Sequence, residues 1–166
     1  MSAAYDVDAW KDFAVMTGGA SAALAGMLVV ALTINIDEIV RFAYLPRRAL
    51  VALVVLMTPL LMAVLLLVPL QSDVAVGMEL VALGIVVGVV IFGQLGRYDS
   101  DSHRTRSQWY SQIVAPFMIV VVSAILAGIG LAAGAIGGLV WLVPAVLAAI
   151  VGGTAQVWVL LVEVRR

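Results

Sequence analysis

Five apolar runs, at roughly residues 13–35, 49–70, 79–96, 112–133 and 139–162, follow one another with short polar gaps between them. Each is long enough to cross a bilayer as a helix of ~17–25 residues. Basic side chains occupy alternate gaps. Lys11 precedes the first run, whereas Arg41, Arg47 and Arg48 follow it; Arg97, Arg104 and Arg106 fill the third gap, and Arg165 and Arg166 follow the last run. The second and fourth gaps hold no Lys or Arg, so five crossings put eight of the nine basic residues on one side. Cytoplasmic loops retain an excess of Lys and Arg. The pattern therefore predicts an all-α integral membrane bundle of five transmembrane helices, one domain over residues 1–166, with the N-terminus outside and the C-terminus cytoplasmic.

Within the first run, Thr17 to Ala23 is built of small residues, and Gly18, Ala22 and Gly26 recur at every fourth position. Such a stripe lets another backbone approach closely, so all three are expected to pack against protein. Asp8 and Asp12 suit the positive end of an opening turn. The helix is expected to run on through Thr33, Asn35, Asp37 and Glu38 to a stop at Pro46. The second run is bulky, carries Pro59 and Pro69, and reads as the most lipid-exposed helix; Thr58 is placed to offset part of the backbone bonding that Pro59 removes. The third carries Gly84 and Gly88, with Gln94 near its end and Arg97-Tyr98 as an interface anchor. Two helices are expected after the polar loop from Arg97 to Gln112, joined at Gly134-Ala135-Ile136-Gly137-Gly138; a re-entrant pair is the alternative. Trp10, Tyr98, Trp109, Tyr110, Trp141 and Trp158 fall near span ends, as interfacial aromatics do.

Composition narrows the chemistry. Hydrophobic residues make up 64% of the chain and charged residues 11%, against roughly 25% charged in a soluble domain. Little chain remains for a folded soluble domain beside five spans. A formal net charge of −1 offers no field for nucleic acid, and the arginine clusters fit topology and lipid headgroups instead. With no cysteine there are no disulfides, thiolate metal sites or thiol nucleophiles, and the one histidine, His103, lies in a polar loop. The acidic N-terminal residues and the length of the first run do not fit a cleavable signal.

Each motif has a competing plain reading. Gly128-Ile129-Gly130-Leu131-Ala132-Ala133 spells a dinucleotide loop, but it sits inside a span with no acid about 20 residues on, so it reads as helix packing. Gly84 and Gly88 suit packing within one subunit or between subunits. Asp37 and Glu38 form either an acidic ring at the inner mouth of a cation pathway or an interfacial pair satisfied by Arg41. Thr33, Asn35, Gln94, Thr154 and Gln156 are helix-bonding groups or the lining of a wet cavity. No ionisable residue lies at the middle of a span, which weighs against a proton pump, and no catalytic, cofactor-binding or metal-ligating pattern is present.

The stretch Trp10-Lys11-Asp12-Phe13, then Gly18 to Leu32, ending in Ile34-Asn35, resembles the opening of a bacterial group of small multi-spanning membrane proteins. The similarity continues through Leu45-Pro46-Arg47-Arg48-Ala49-Leu50 and covers about residues 10–80. It implies a membrane location and no activity. Ser21-Ala22-Ala23-Leu24-Ala25-Gly26-Met27 is also similar to the pore helix of store-operated calcium channels. This chain departs from those channels in having five expected spans rather than four, the opposite orientation, no basic run before the helix and no glutamate at its outer end.

The sequence thus leads to a non-enzymatic protein of the bacterial plasma membrane, surrounded by lipids and without cofactors. A homo-oligomeric pore would use Thr33, Asn35, Asp37 and Glu38; an accessory subunit would instead dock another membrane protein through its Gly/Ala faces.

Overall fold

The computed structural model describes residues 3–41, 45–95 and 115–164. Tyr98, Arg97, His103, Trp109, Tyr110, Arg165 and Arg166 lie outside these residues, as do the loop and tail expectations that rest on them. Among the described residues every regular element is helical. The 3-10 turns Ala3–Tyr5 and Val7–Trp10 lead into α1 (Lys11–Ile34); α2 (Ile36–Arg41), α3 (Leu45–Leu67), α4 (Asp73–Leu95) and α5 (Ala115–Ala133) follow, and a 3-10 turn at Gly138–Trp141 opens α6 (Leu142–Val164). Four segments are long and apolar enough to cross a membrane: Val7–Ile34, Leu45–Leu67, Asp73–Gln94 and Gly138–Val159. These mark the chain as a multi-pass membrane protein.

Local chemistry sets the helix ends. Asp6 caps the second 3-10 turn by accepting the amide of Asp8 at 3.1 Å. α1 stops where Asn35 leaves helical geometry (φ −108°, ψ 19°) and its side-chain amide donates back to the carbonyl of Ala31 at 2.8 Å. Ser72 begins α4, its hydroxyl accepting from the amide of Ala75 and its carbonyl from that of Val76. This cap starts the helix six residues before the apolar run at 79, because a polar first turn extends a helix without adding apolarity. α5 ends in a Schellman motif: Gly134 takes φ +62°, the amide of Ala135 donates to Gly130, and that of Gly134 donates to Leu131. Gly137 and Gly138 also take positive φ, so the hairpin turns within a few residues, as the glycine cluster predicts.

α3, α4, α5 and α6 form a ring in which each helix packs on the next, and α1 leans against the outside of α3. The expectation that the second helix is the most lipid-exposed is therefore overturned. Half of the apolar window of α3 is buried within the chain, more than for any of the other three long helices. Its bulky residues are there because it meets α1, α4 and α6 at once. Leu56, one of the bulky residues of this helix, is 2% exposed.

The closest helix pair is α4 with α5, and glycine is the reason. A Cβ on Gly77 would lie 2.6 Å from the carbonyl oxygen of Gly128, and one on Gly84 would lie 2.8 Å from Ile125. Gly88 faces Val121 in the same way. Gly84 and Gly88 thus serve packing inside one subunit, and Gly128, first residue of the apparent dinucleotide motif, packs on Gly77. Gly77 carries no repeat signal in the sequence because its partner spacing to Gly84 is seven residues, two turns of the same face.

The two ends of the bundle differ. At one end the Tyr5 hydroxyl accepts the amide of Gly137 at 3.1 Å, and the N-terminal turns cover the α5–α6 hairpin. One buried cluster joins Ala14, Leu66, Val76, Leu131 and Leu139, so the α3–α4 connection lies at this end too. At the other end Arg48 on α3 donates to the Gln156 side chain on α6 at 3.4 Å, and Ile39, Leu45 and Ala49 form a separate cluster.

Candidate functional site along the first helix

α1 has two faces of opposite use. Ala14, Thr17, Gly18, Ser21, Ala25 and Leu28 are buried, spaced three and four apart along the line that meets α3. Gly18 is fitted closely there, since a Cβ on it would lie 2.8 Å from the Cβ of Ala63. The Ser21 hydroxyl donates to the carbonyl of Leu56, and Thr17 donates within its own helix to Phe13 at 2.7 Å. Thr17 and Ser21, the polar residues in the small-residue part of this helix, therefore lie on the buried side toward α3.

The Gly18–Ala22–Gly26 stripe divides. Ala22 and Gly26 are exposed on the far side of the helix, and nothing lies within 4 Å of a Cβ placed on Gly26 or on Gly19. Four-residue steps advance only ~40° around a helix each time, so eight residues carry the stripe from the α3 contact to the outer surface. The outer face itself runs Gly19, Ala22, Ala23, Gly26, Val30 and Thr33, all exposed. Only 28% of the apolar stretch of α1 is buried within the chain, against 50%, 39% and 44% for the other three long helices.

Polar groups close the outer face at the arginine-bearing end. Thr33 donates its hydroxyl to the carbonyl of Val29 at 2.9 Å; its oxygen keeps its lone pairs as acceptors on the exposed side. Asn35 is half-buried and turned back on Ala31. Glu38 forms an ion pair with Arg41 at 3.0 Å, the plain reading of the acidic pair, but only for one of its members. Asp37 is exposed, and no ion pair holds it among the described residues. The two carboxylates that adjoin in sequence are thus separated in role.

Other polar residues act as local links. Thr58 donates to Val54 at 2.8 Å and Thr154 to Ile150 at 2.7 Å; Gln156 meets Arg48, and Gln94 is half-buried in α4. One polar pair escapes a reading from apolar runs: the Gln71 amide donates to Glu79 at 2.9 Å, while Gln71 Oε1 and Glu79 Oε2 are buried without a partner among the described residues. Glu79 looks like a run boundary in the sequence, yet it sits six residues inside α4. No group of three or more His, Cys, Asp or Glu residues placed to hold a metal ion occurs among the described residues. Neither a family model, nor a curated protein, nor a solved structure matches this chain.

Proposed function

We infer that the chain crosses the bacterial plasma membrane five times, N-terminus outside, and assembles with copies of itself around α1 to form a cation-permeable pore. The observation that carries this reading is the outer face of α1. It carries an exposed patch of Gly19, Ala22, Ala23 and Gly26, flanked by exposed Met16, Met27 and Val30, and leads to Thr33 and, just beyond α1, Asp37, whereas Gly77, Gly84 and Gly88 of α4 and Gly128 of α5 are used inside the protomer. Small residues on a membrane helix favour close backbone approach. At the mouth, Thr33 oxygens and Asp37 carboxylates from several copies would form consecutive rings of acceptors, the arrangement that concentrates cations and repels anions. Glu38 contributes less, because Arg41 already balances it. α5 belongs among the crossings despite its shorter described length, since 19 residues span about 28 Å.

The second reading, an accessory subunit that docks a different membrane protein, rests on the same exposed Gly19–Gly26 surface. Cross-linking separates the two. The chain has no native cysteine, so a single cysteine at Gly26 reports one contact. Copies joined at Gly26, with no joining of a cysteine at Gly84, favour self-assembly. A Gly26 variant that stays a monomer in native membranes contradicts it.

A further inference from the structure

A cavity of about 220 Å³ lies between the last turn of α1, α2 and the start of α3. Leu32, Ile36, Val40, Pro46, Leu50 and Leu53 line it, and the other described lining residues are apolar as well. We propose that this groove seats an acyl chain of an anionic phospholipid, with the phosphate bound at its mouth by Arg47 and assisted by Arg41. The proposal rests on the membrane-spanning reading of α1 and α3, and not on the pore.

Three features favour this occupant. The lining among the described residues offers no side-chain donor or acceptor, and the volume falls below the ~300–1,000 Å³ of sites that enclose a compact small molecule. An open apolar channel of this size suits part of a flexible chain. Among the described residues nothing covers the groove: Ile36, Val40 and Leu50 are 50%, 65% and 40% exposed. Finally, its charge is complementary to a lipid phosphate. Arg41 directly follows the lining residue Val40, and Arg47 directly follows Pro46 and precedes Leu50 by three residues, so two basic residues adjoin the lining in the chain and their long side chains are within reach of a headgroup at the groove. Arg41 is partly engaged by Glu38. Arg47 is exposed and makes no ion pair among the described residues, which leaves its planar fork for bidentate phosphate binding. Basic pockets between helices at the cytoplasmic side select anionic headgroups in this way.

The test is native mass spectrometry of the full chain in mild detergent, offered equal amounts of phosphatidylglycerol and phosphatidylcholine with the same acyl chains. Phosphatidylglycerol adducts should be retained preferentially. Arg47→Gln should reduce that retention roughly fivefold, the worth of one interfacial basic residue, while Lys11→Gln at the opposite end leaves it unchanged. Leu50→Trp, which fills the groove from an exposed position, should lower retention of both lipids with the helical circular dichroism intact. Glycerol phosphate alone should not displace the lipid. Equal retention of the two lipids, an Arg47→Gln variant that behaves as the parent, displacement by glycerol phosphate, or a second copy of the chain in place of the lipid adduct would each overturn the proposal.

Discussion

Ser21 on α1 donates its hydroxyl to the backbone carbonyl of Leu56 on α3, three residues before Pro59. Proline has no amide to give, so Pro59 leaves the carbonyl of Val55 without its helical partner and crowds the turn around it. Ser21 reaches the adjacent carbonyl from the neighbouring helix. The same Leu56 uses its side chain on the other flank, where a Cβ on Gly153 of α6 would lie 2.6 Å from it. One residue thus ties α1 to the four-helix ring, through its backbone on one side and its side chain on the other.

Removing that link should loosen α1 more than the rest of the bundle. Ser21→Ala is expected to cost about 0.6 kcal/mol, the average of interhelical hydrogen bonds in membrane proteins, read as a lower unfolding midpoint in detergent. Thr33→Ala, whose hydroxyl bonds only its own helix, should cost less. Equal effects would mean that the Ser21 bond contributes nothing to docking.

Glycine substitutions should sort by partner and not by position along a span. A Cβ on Gly77 meets the Gly128 carbonyl, which is backbone and cannot swing aside; Gly77→Ala should cost ~1–3 kcal/mol as overpacking does. Gly93 has nothing within 4 Å, so Gly93→Ala should be neutral or stabilise by up to ~1 kcal/mol through helix propensity. Thermal melting of the two variants in one detergent checks the order, and a more stable Gly77→Ala would contradict the α4–α5 packing.

How much of this was legible beforehand depends on what each residue answers to. Apolar length revealed the helices, because hydrocarbon thickness sets it directly, and the glycine cluster at 134–138 revealed the hairpin, because positive φ demands it. Depth within the bundle was not legible for α3: a helix among helices and a helix facing lipid both require bulky apolar side chains, so Leu56 reads the same in either place. For α1 the small residues announced close packing without direction. Gly18 and Gly26 look equivalent in the sequence, and only the rotation of the helix against Ala63 sends one inward and the other outward. Asp37 and Glu38 likewise look like a pair until Arg41 selects Glu38.

The proposed orientation rests on the arginine alternation, and the contact between Tyr5 and Gly137 puts the N-terminal turns at the end of the bundle away from Arg48. A cysteine at Ser2 should react with an impermeant maleimide on intact cells, and a reporter fused after Arg166 should be active in the cytoplasm. Labelling of Ser2 only after permeabilisation would reverse the orientation.

Self-association should be sensitive to the outer face of α1 while the protomer is not. Ala22 is exposed, so Ala22→Leu should leave the monomer's unfolding midpoint within ~0.5 kcal/mol of the parent, as expected of a surface change, and still weaken oligomers on a sizing column. Unchanged oligomers with an unchanged midpoint would turn that face to lipid.

The most direct test of the pore is the reversal potential of the reconstituted protein in planar bilayers under a salt gradient, compared across Asp37→Asn and Glu38→Gln. Cation-over-anion preference in the parent, reduced by Asp37→Asn and changed little by Glu38→Gln, is the predicted result; it should also weaken as salt rises, since charges at a water-filled mouth are screened over a Debye length of ~8 Å at physiological ionic strength. Conduction indifferent to Asp37, or no current from the parent protein, would contradict the account.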